Sequence, residues 1–202
     1  AYNRLVDRLY GLVEEGWDGR FWYEESGDEI LKMFKGDIVE AEKFTQLIAI
    51  YSPQTKVDVN TYFAVRGYEQ YANGFSRDEY YVNAARDEKA LQVLYDNVPW
   101  DGRKTDNFYQ NLMYSIIKKT PEGAIDKLKI DKETYDAITK PVTIDMWVYR
   151  AFGYGSDALT DKKGEGAYGF AEREINRIAE ELNSQLQEGE TPYMPHQIQA
   201  ML

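Results

Sequence analysis

The chain has 202 residues, of which 43 % are hydrophobic and 14 % aromatic, enough to bury a core and too apolar for a disordered polypeptide. Its 35 acids against 24 bases give a net charge of −11, which opposes non-specific attraction to nucleic-acid phosphates and to anionic membranes, so any nucleic-acid contact must be local. With no cysteine and a single histidine, His196, the sequence excludes disulfides, thiolate nucleophiles, iron–sulfur clusters and multi-histidine metal centres, and no metal or cofactor is expected.

Helical periodicity dominates from the first residues. In "NRLVDRLYGLVEEG" the residues Leu5, Val6, Leu9, Tyr10 and Val13 form one apolar stripe, and Gly16 stops it. The N-terminal "AYNRLVDRLY" is amphipathic rather than a signal peptide, and the longest apolar runs are too short to span a bilayer; a cytoplasmic protein is expected. Next comes "GRFWYEESGDEI", where Phe21, Trp22 and Tyr23 precede Glu24 and Glu25, a pattern read as core packing ahead of a base-stacking platform. Helices are predicted near 27–35, 37–51, 56–72, 85–96, 103–119, 143–153 and 167–187, with a last one from Pro195. Strand-like alternation is nearly absent, and the fold class is all-α.

Three segments carry candidate chemistry. In "LIAIYSPQTKVDVN" an apolar helix ends in a Ser-Pro-Gln-Thr turn; Pro53 disfavours continuation, Ser52 or Thr55 is expected to cap the next helix, and Gln54 falls on the turn tip. In "VPWDGRKTDNFYQNL" a proline and a glycine-closed turn precede a helix that opens with Arg103 and Lys104, at the end of a helix where acids rather than bases are favoured. Solvated surface cations and an anion-holding helix start both fit this pattern. In "KPVTIDMWVYRAFGYG" Asp145 interrupts an apolar sequence. With Thr143 as N-cap, Asp145 takes the second helical position, where its charge suits the dipole; held among Ile144, Met146, Trp147 and Val148, it also suits a partly desolvated base or a stabiliser of positive charge.

The remaining stretches are less informative. Residues 120–138 read as one or two short inserted helices, and "GYGSDALTDKKGEGAYG" at 153–169 as the best candidate for a mobile loop. The terminal "YMPHQIQAML" reads as a capping turn and a packed helix bearing Ile198, Met201 and Leu202, ahead of a polar cleft around His196, Gln197 and Gln199.

The order "YSPQTKVDVN", "VPWDGRKTDNFYQNL", "PVTIDMWVYRAFG" resembles the helix-hairpin-helix DNA glycosylase superfamily, of the endonuclease III and 8-oxoguanine glycosylase type, in a divergent phage-like form. The resemblance covers residues 47 to about 155. It implies a two-lobed helical bundle forming one glycosylase-like unit over 1–202, with a central lobe at about 47–140 and the other from 1–46 and 141–202. It implies DNA as partner, Lys104 as the Schiff-base nucleophile of a glycosylase with AP-lyase activity, and Asp145 as the catalytic carboxylate. Gln54 matches a turn residue that fills the space left by an extruded base. Gly102, Arg103 and Thr105 fall on the hairpin's Gly-x-Lys-Thr, whereas Trp100 and Asp101 replace its first glycine and the small residue after it. Two other uses of the chain stay open: base hypermodification of phage DNA on the same fold, in the host cytoplasm, and a non-catalytic acidic module that binds a basic protein as a decoy.

Overall fold

In the computed structural model the described residues are 2–98, 102–120, 126–128, 141–155 and 166–202. Among them the regular structure is helical: α1 (Tyr2–Glu15), α2 (Trp22–Met33), α3 (Ile38–Tyr51), α4 (Val57–Ala72), α5 (Asp87–Tyr95), α6 (Arg103–Lys118), α7 (Met146–Ala151), α8 (Ala167–Ser184) and α9 (Pro195–Met201). Short 3₁₀ turns cover Trp17–Gly19 and Asp126–Leu128. The all-α class therefore holds for the described residues. No described helix is long and apolar enough to cross a membrane.

The chain divides into two compact units, Ala1–Glu25 with Lys132–Leu202, and Ser26–Asp131. The sequence placed the central lobe's borders near residues 47 and 140; the division instead takes in α3, because α3 is the helix on which α4, α5 and α6 of the second unit pack. Its buried residues show why. Ile38, Ala41, Phe44, Leu47, Ile50 and Tyr51 are all withdrawn from water, so α3 is apolar on more than one face, as an enclosed helix must be. Asp37 caps its start, its Oδ1 accepting from the amides of Val39 and Glu40 at 3.0 and 3.2 Å.

α2 begins at Trp22 rather than near residue 27. Gly27, which reads as a turn residue, lies inside the helix, where a Cβ would come within 2.9 Å of Ser115 Oγ on α6, so the glycine permits close helix packing. The end of α3 is tied to the segment before α5 by a buried polar knot. Tyr51 donates its hydroxyl proton to Asp87 Oδ1 at 2.8 Å and lies 3.0 Å from the Tyr80 hydroxyl, while Asp87 also accepts from the amides of Val82 and Asn83. Burial, reinforced by Tyr80 and Asp87, pushes the Tyr51 hydroxyl far above the usual tyrosine range, so it acts there as a permanent donor.

The first unit is built from α1, α7, α8 and α9 around Leu9, Ile144, Val148, Ile175, Ile178 and Ile198, each essentially inaccessible to solvent. Arg8 of α1 donates to the carbonyl of Arg150 at 3.0 Å and so satisfies an acceptor near the C-terminus of α7. The predicted helices of residues 120–138 and the proposed mobile loop at 153–169 fall largely outside the described residues.

Candidate functional site

In the Ser26–Asp131 unit the sequence candidates sit at two turns. Gln54 stands at the tip of the α3–α4 turn, exposed, with φ +59, a left-handed conformation that costs a non-glycine residue free energy. Neither Ser52 nor Thr55 caps α4: the Ser52 hydroxyl donates back to Ala49 O at 2.9 Å and that of Thr55 to Pro53 O at 3.2 Å, while Lys56 occupies the cap position. Each hydroxyl is thus used to close the turn. Gly102 takes φ +128 immediately before α6, a conformation open to glycine and rare for other residues, and its carbonyl receives the first helical bond from Asp106 N at 3.0 Å. Arg103 is exposed, and Lys104 and Thr105 are half-buried in the first turn of α6. Trp100 and Asp101 lie outside the described residues.

Asp145 belongs to the other unit. The structure corrects its register: it is itself the N-cap of α7, not the second helical residue, and Thr143 is buried ahead of it. Its Oδ1 accepts from the amides of Trp147 at 2.8 Å and Val148 at 3.0 Å, an arrangement in which the shorter aspartate reaches the free helix amides from an extended backbone. The extended stretch leading to it is held by Tyr168 of α8, whose hydroxyl receives the Ile144 amide at 3.3 Å and donates to Val142 O at 3.2 Å. Both the position and the orientation of this carboxylate are fixed by backbone contacts.

Around Asp145 the same unit holds a buried polar network that sequence reasoning did not assemble. His196 is fully buried, and its Nε2 lies 2.9 Å from Oε1 of Glu24. Gln197 Nε2 donates to the same oxygen at 2.7 Å, and Tyr23 donates to Gln199 Oε1 at 2.6 Å. Arg20, itself buried, donates to Gln197 Oε1 at 3.3 Å and to the carbonyls of Thr191 and Pro192, with its guanidinium 3.8 Å above the Tyr193 ring. The residues of "PHQIQA" that point away from Ile198 and Met201 are therefore ligands of Arg20, Tyr23 and Glu24.

Electrostatics ties this network to Asp145. Burial pushes the Tyr23 hydroxyl well above the usual range; hydrogen bonding with Thr143 opposes this, and the charges of Asp145 and Glu24 add to it. Both carboxylates thus act on one hydroxyl. Glu24 itself is subject to burial that would raise its carboxyl, but the hydrogen bond and charge of His196 and the Gln197 amide outweigh it and hold the group below the ordinary glutamate value. Glu24 is therefore an anion at neutral pH, and the His196 Nε2–H is the donor of their bond. Of the aromatic triplet, only Tyr23 is buried; Phe21 and Trp22 remain 40 % and 37 % exposed, so the expected packing role applies to one ring of the three.

The signal for this network was faint: one histidine, and polar residues on more than one face of a terminal helix too short to show a period. Among the described residues no group of three or more His, Cys, Asp or Glu side chains could hold a metal ion. No protein-family model, no curated protein and no solved structure matches the chain.

Proposed function

We propose that this chain is a DNA glycosylase-like enzyme that acts on the N-glycosidic bond of a flipped-out damaged or modified base. The reading rests on the three ordered sequence motifs, and one observation carries it furthest: the carboxylate of Asp145 is fixed as an N-cap, with Oδ1 held by two amides and no described residue hydrogen-bonded to Oδ2. A carboxylate held in this way keeps a fixed orientation, which suits it to stabilise positive charge developing on a deoxyribose as the base departs. The half-buried Lys104 at the start of α6 is the proposed nucleophile. A helix N-terminus disfavours the ammonium form and so favours the neutral amine that attack requires.

In the proposed step, Lys104 Nζ forms a bond to C1′ while the C1′–N bond to the base breaks and the base leaves with the electron pair, taking a proton from water. Nζ then gives one proton to the hydroxide left by that water, and the C1′–O4′ bond breaks with its electron pair on O4′, which takes the second Nζ proton, to give the Schiff base that an AP lyase needs. Gln54, exposed on a strained turn, is suited to the gap in the duplex; Gly102, Arg103, Thr105 and Trp100 are the proposed backbone contacts.

Borohydride trapping tests this reading. A covalent protein–DNA adduct on duplexes carrying damaged or modified bases, lost in Lys104→Ala, supports it; neither adduct nor base release across such a panel overturns it.

A further inference from the structure

Beside Asp145, and in the same unit, α1 and α7 present two arginines and a tryptophan to solvent. Trp147, the second residue of α7, is 64 % exposed, and Met146 before it 39 %. Core packing does not account for them, because the inward face of α7 is made by Val148, Tyr149 and Ala151, all buried. Arg150, one turn on, sets its guanidinium carbon 4.7 Å from the centre of the Trp147 ring, with one nitrogen 3.8 Å from the Met146 sulfur. Arg8 of α1 reaches the same place, donating to the carbonyl of Arg150 at 3.0 Å.

Neighbouring acids do not consume these charges. Neither Arg8 nor Arg150 forms an ion pair with a described residue, whereas Arg77, Lys119 and Arg177 each close on one or two carboxylates. A ring and a sulfur hold Arg150, and a carbonyl holds Arg8; these contacts fix where each guanidinium stands without neutralising it. Asp145, the acid closest to Trp147 along the chain, is turned to the helix amides, with Oδ1 bonded at 2.8 and 3.0 Å. Asp7 is adjacent to Arg8 on α1, where consecutive side chains do not face each other. In a chain of net charge −11, an exposed indole flanked by two such cations is a local exception, and a nucleic-acid contact on this chain has to be local.

We infer that Trp147, Arg150 and Arg8 form a docking surface for the DNA strand flanking the nucleotide held at Asp145. A base next to the extruded one stacks on the Trp147 ring, and the two guanidiniums meet phosphates of the same strand. The inference rests on the proposed action on DNA and adds a strand contact to that site. Extrusion leaves the neighbouring base without one stacking partner, and an exposed indole covers its open face whatever the sequence. The planar fork of arginine matches phosphate oxygens, and the bond from Arg8 to the Arg150 carbonyl uses only one of its nitrogens.

The test is fluorescence anisotropy of a labelled duplex carrying a tetrahydrofuran abasic site, titrated with the full chain, with unlabelled DNA and polyglutamate as competitors. Saturable binding is expected, weakened about tenfold in Trp147→Ala and largely restored in Trp147→Phe, which keeps a stacking ring. Arg8→Gln and Arg150→Gln should each weaken binding about tenfold at low salt and reduce the slope of log affinity against log salt by about 0.9, one phosphate contact apiece, while Arg150→Lys keeps the slope. All three side chains are exposed, so the variants should keep the fold, which far-ultraviolet circular dichroism checks. No saturable binding, unchanged affinity in folded Trp147→Ala, an unchanged salt slope in both glutamine variants, or competition by polyglutamate as effective as by DNA overturns the inference. Binding that depends on these residues, with no borohydride adduct on any damaged duplex, keeps the surface and removes the chemistry; an adduct from a parent whose variants bind unchanged does the reverse.

Discussion

Glu24 Oε1 receives the Nε2–H of the fully buried His196 at 2.9 Å, and this bond anchors the chain's terminal helix to the first turn of α2. Because Glu24's carboxyl lies below its unfolded value in the folded protein, its contribution to stability is present above about pH 4.3 and is lost as pH falls through the lower folded value. Glu24→Gln should therefore be less stable than the parent at pH 7 and show a flatter acid limb below about pH 4.3. Urea unfolding midpoints followed from pH 7 to acid measure both effects; parallel curves for the two proteins would contradict the assignment.

Glu42 gives the opposite sign. Burial, only partly offset by Tyr109 and Gln46, raises its folded carboxyl, so the stability it contributes is full below the unfolded value of about 4.3 and is lost as pH rises through the folded one. Glu42→Gln should remove that loss, and its unfolding midpoint relative to the parent should rise between acid pH and pH 7. A constant difference across that range would contradict it.

Two glycines in helices predict contrasting outcomes. A Cβ at Gly27 would meet Ser115 at 2.9–3.0 Å, whereas one at Gly11 in α1 would meet nothing within 4 Å. Gly11→Ala should stabilise by about 0.5–1 kcal/mol through helix propensity, and Gly27→Ala should destabilise by about 1 kcal/mol or more through overpacking. Thermal or chemical denaturation of the two variants checks the order.

The cap at Asp145 separates structure from chemistry. Asparagine caps as well as aspartate, so Asp145→Asn should leave stability nearly unchanged, while Asp145→Ala should cost about 1 kcal/mol. If the proposed function is correct, both variants lose base release, because both lack the charge. Full activity in Asp145→Asn would remove the carboxylate from the reaction.

Much of the helical order is legible because it rests on long amphipathic stripes: α1, α4 and α6 follow from the spacing of residues such as Leu5, Leu9 and Val13, or Leu112 and Ile116. Errors came where local signals competed with packing. Gly27 resembles a turn residue until Ser115 is placed beside it, and Thr143 resembles an N-cap until Tyr168 is seen to hold Val142 and Ile144 extended, which carries the cap on to Asp145. The Glu24–His196–Gln197 network joins residues more than 170 positions apart, and no periodicity records such a pairing.

The proposed pair, Lys104 and Asp145, is tested most directly by borohydride trapping of the full chain on duplex DNA carrying a panel of damaged or modified bases, with Lys104→Ala and Asp145→Asn alongside. The account predicts a covalent adduct for the parent, none for Lys104→Ala, and strongly reduced base release for Asp145→Asn. An adduct that persists in Lys104→Ala, or neither adduct nor base release on any duplex, would contradict it.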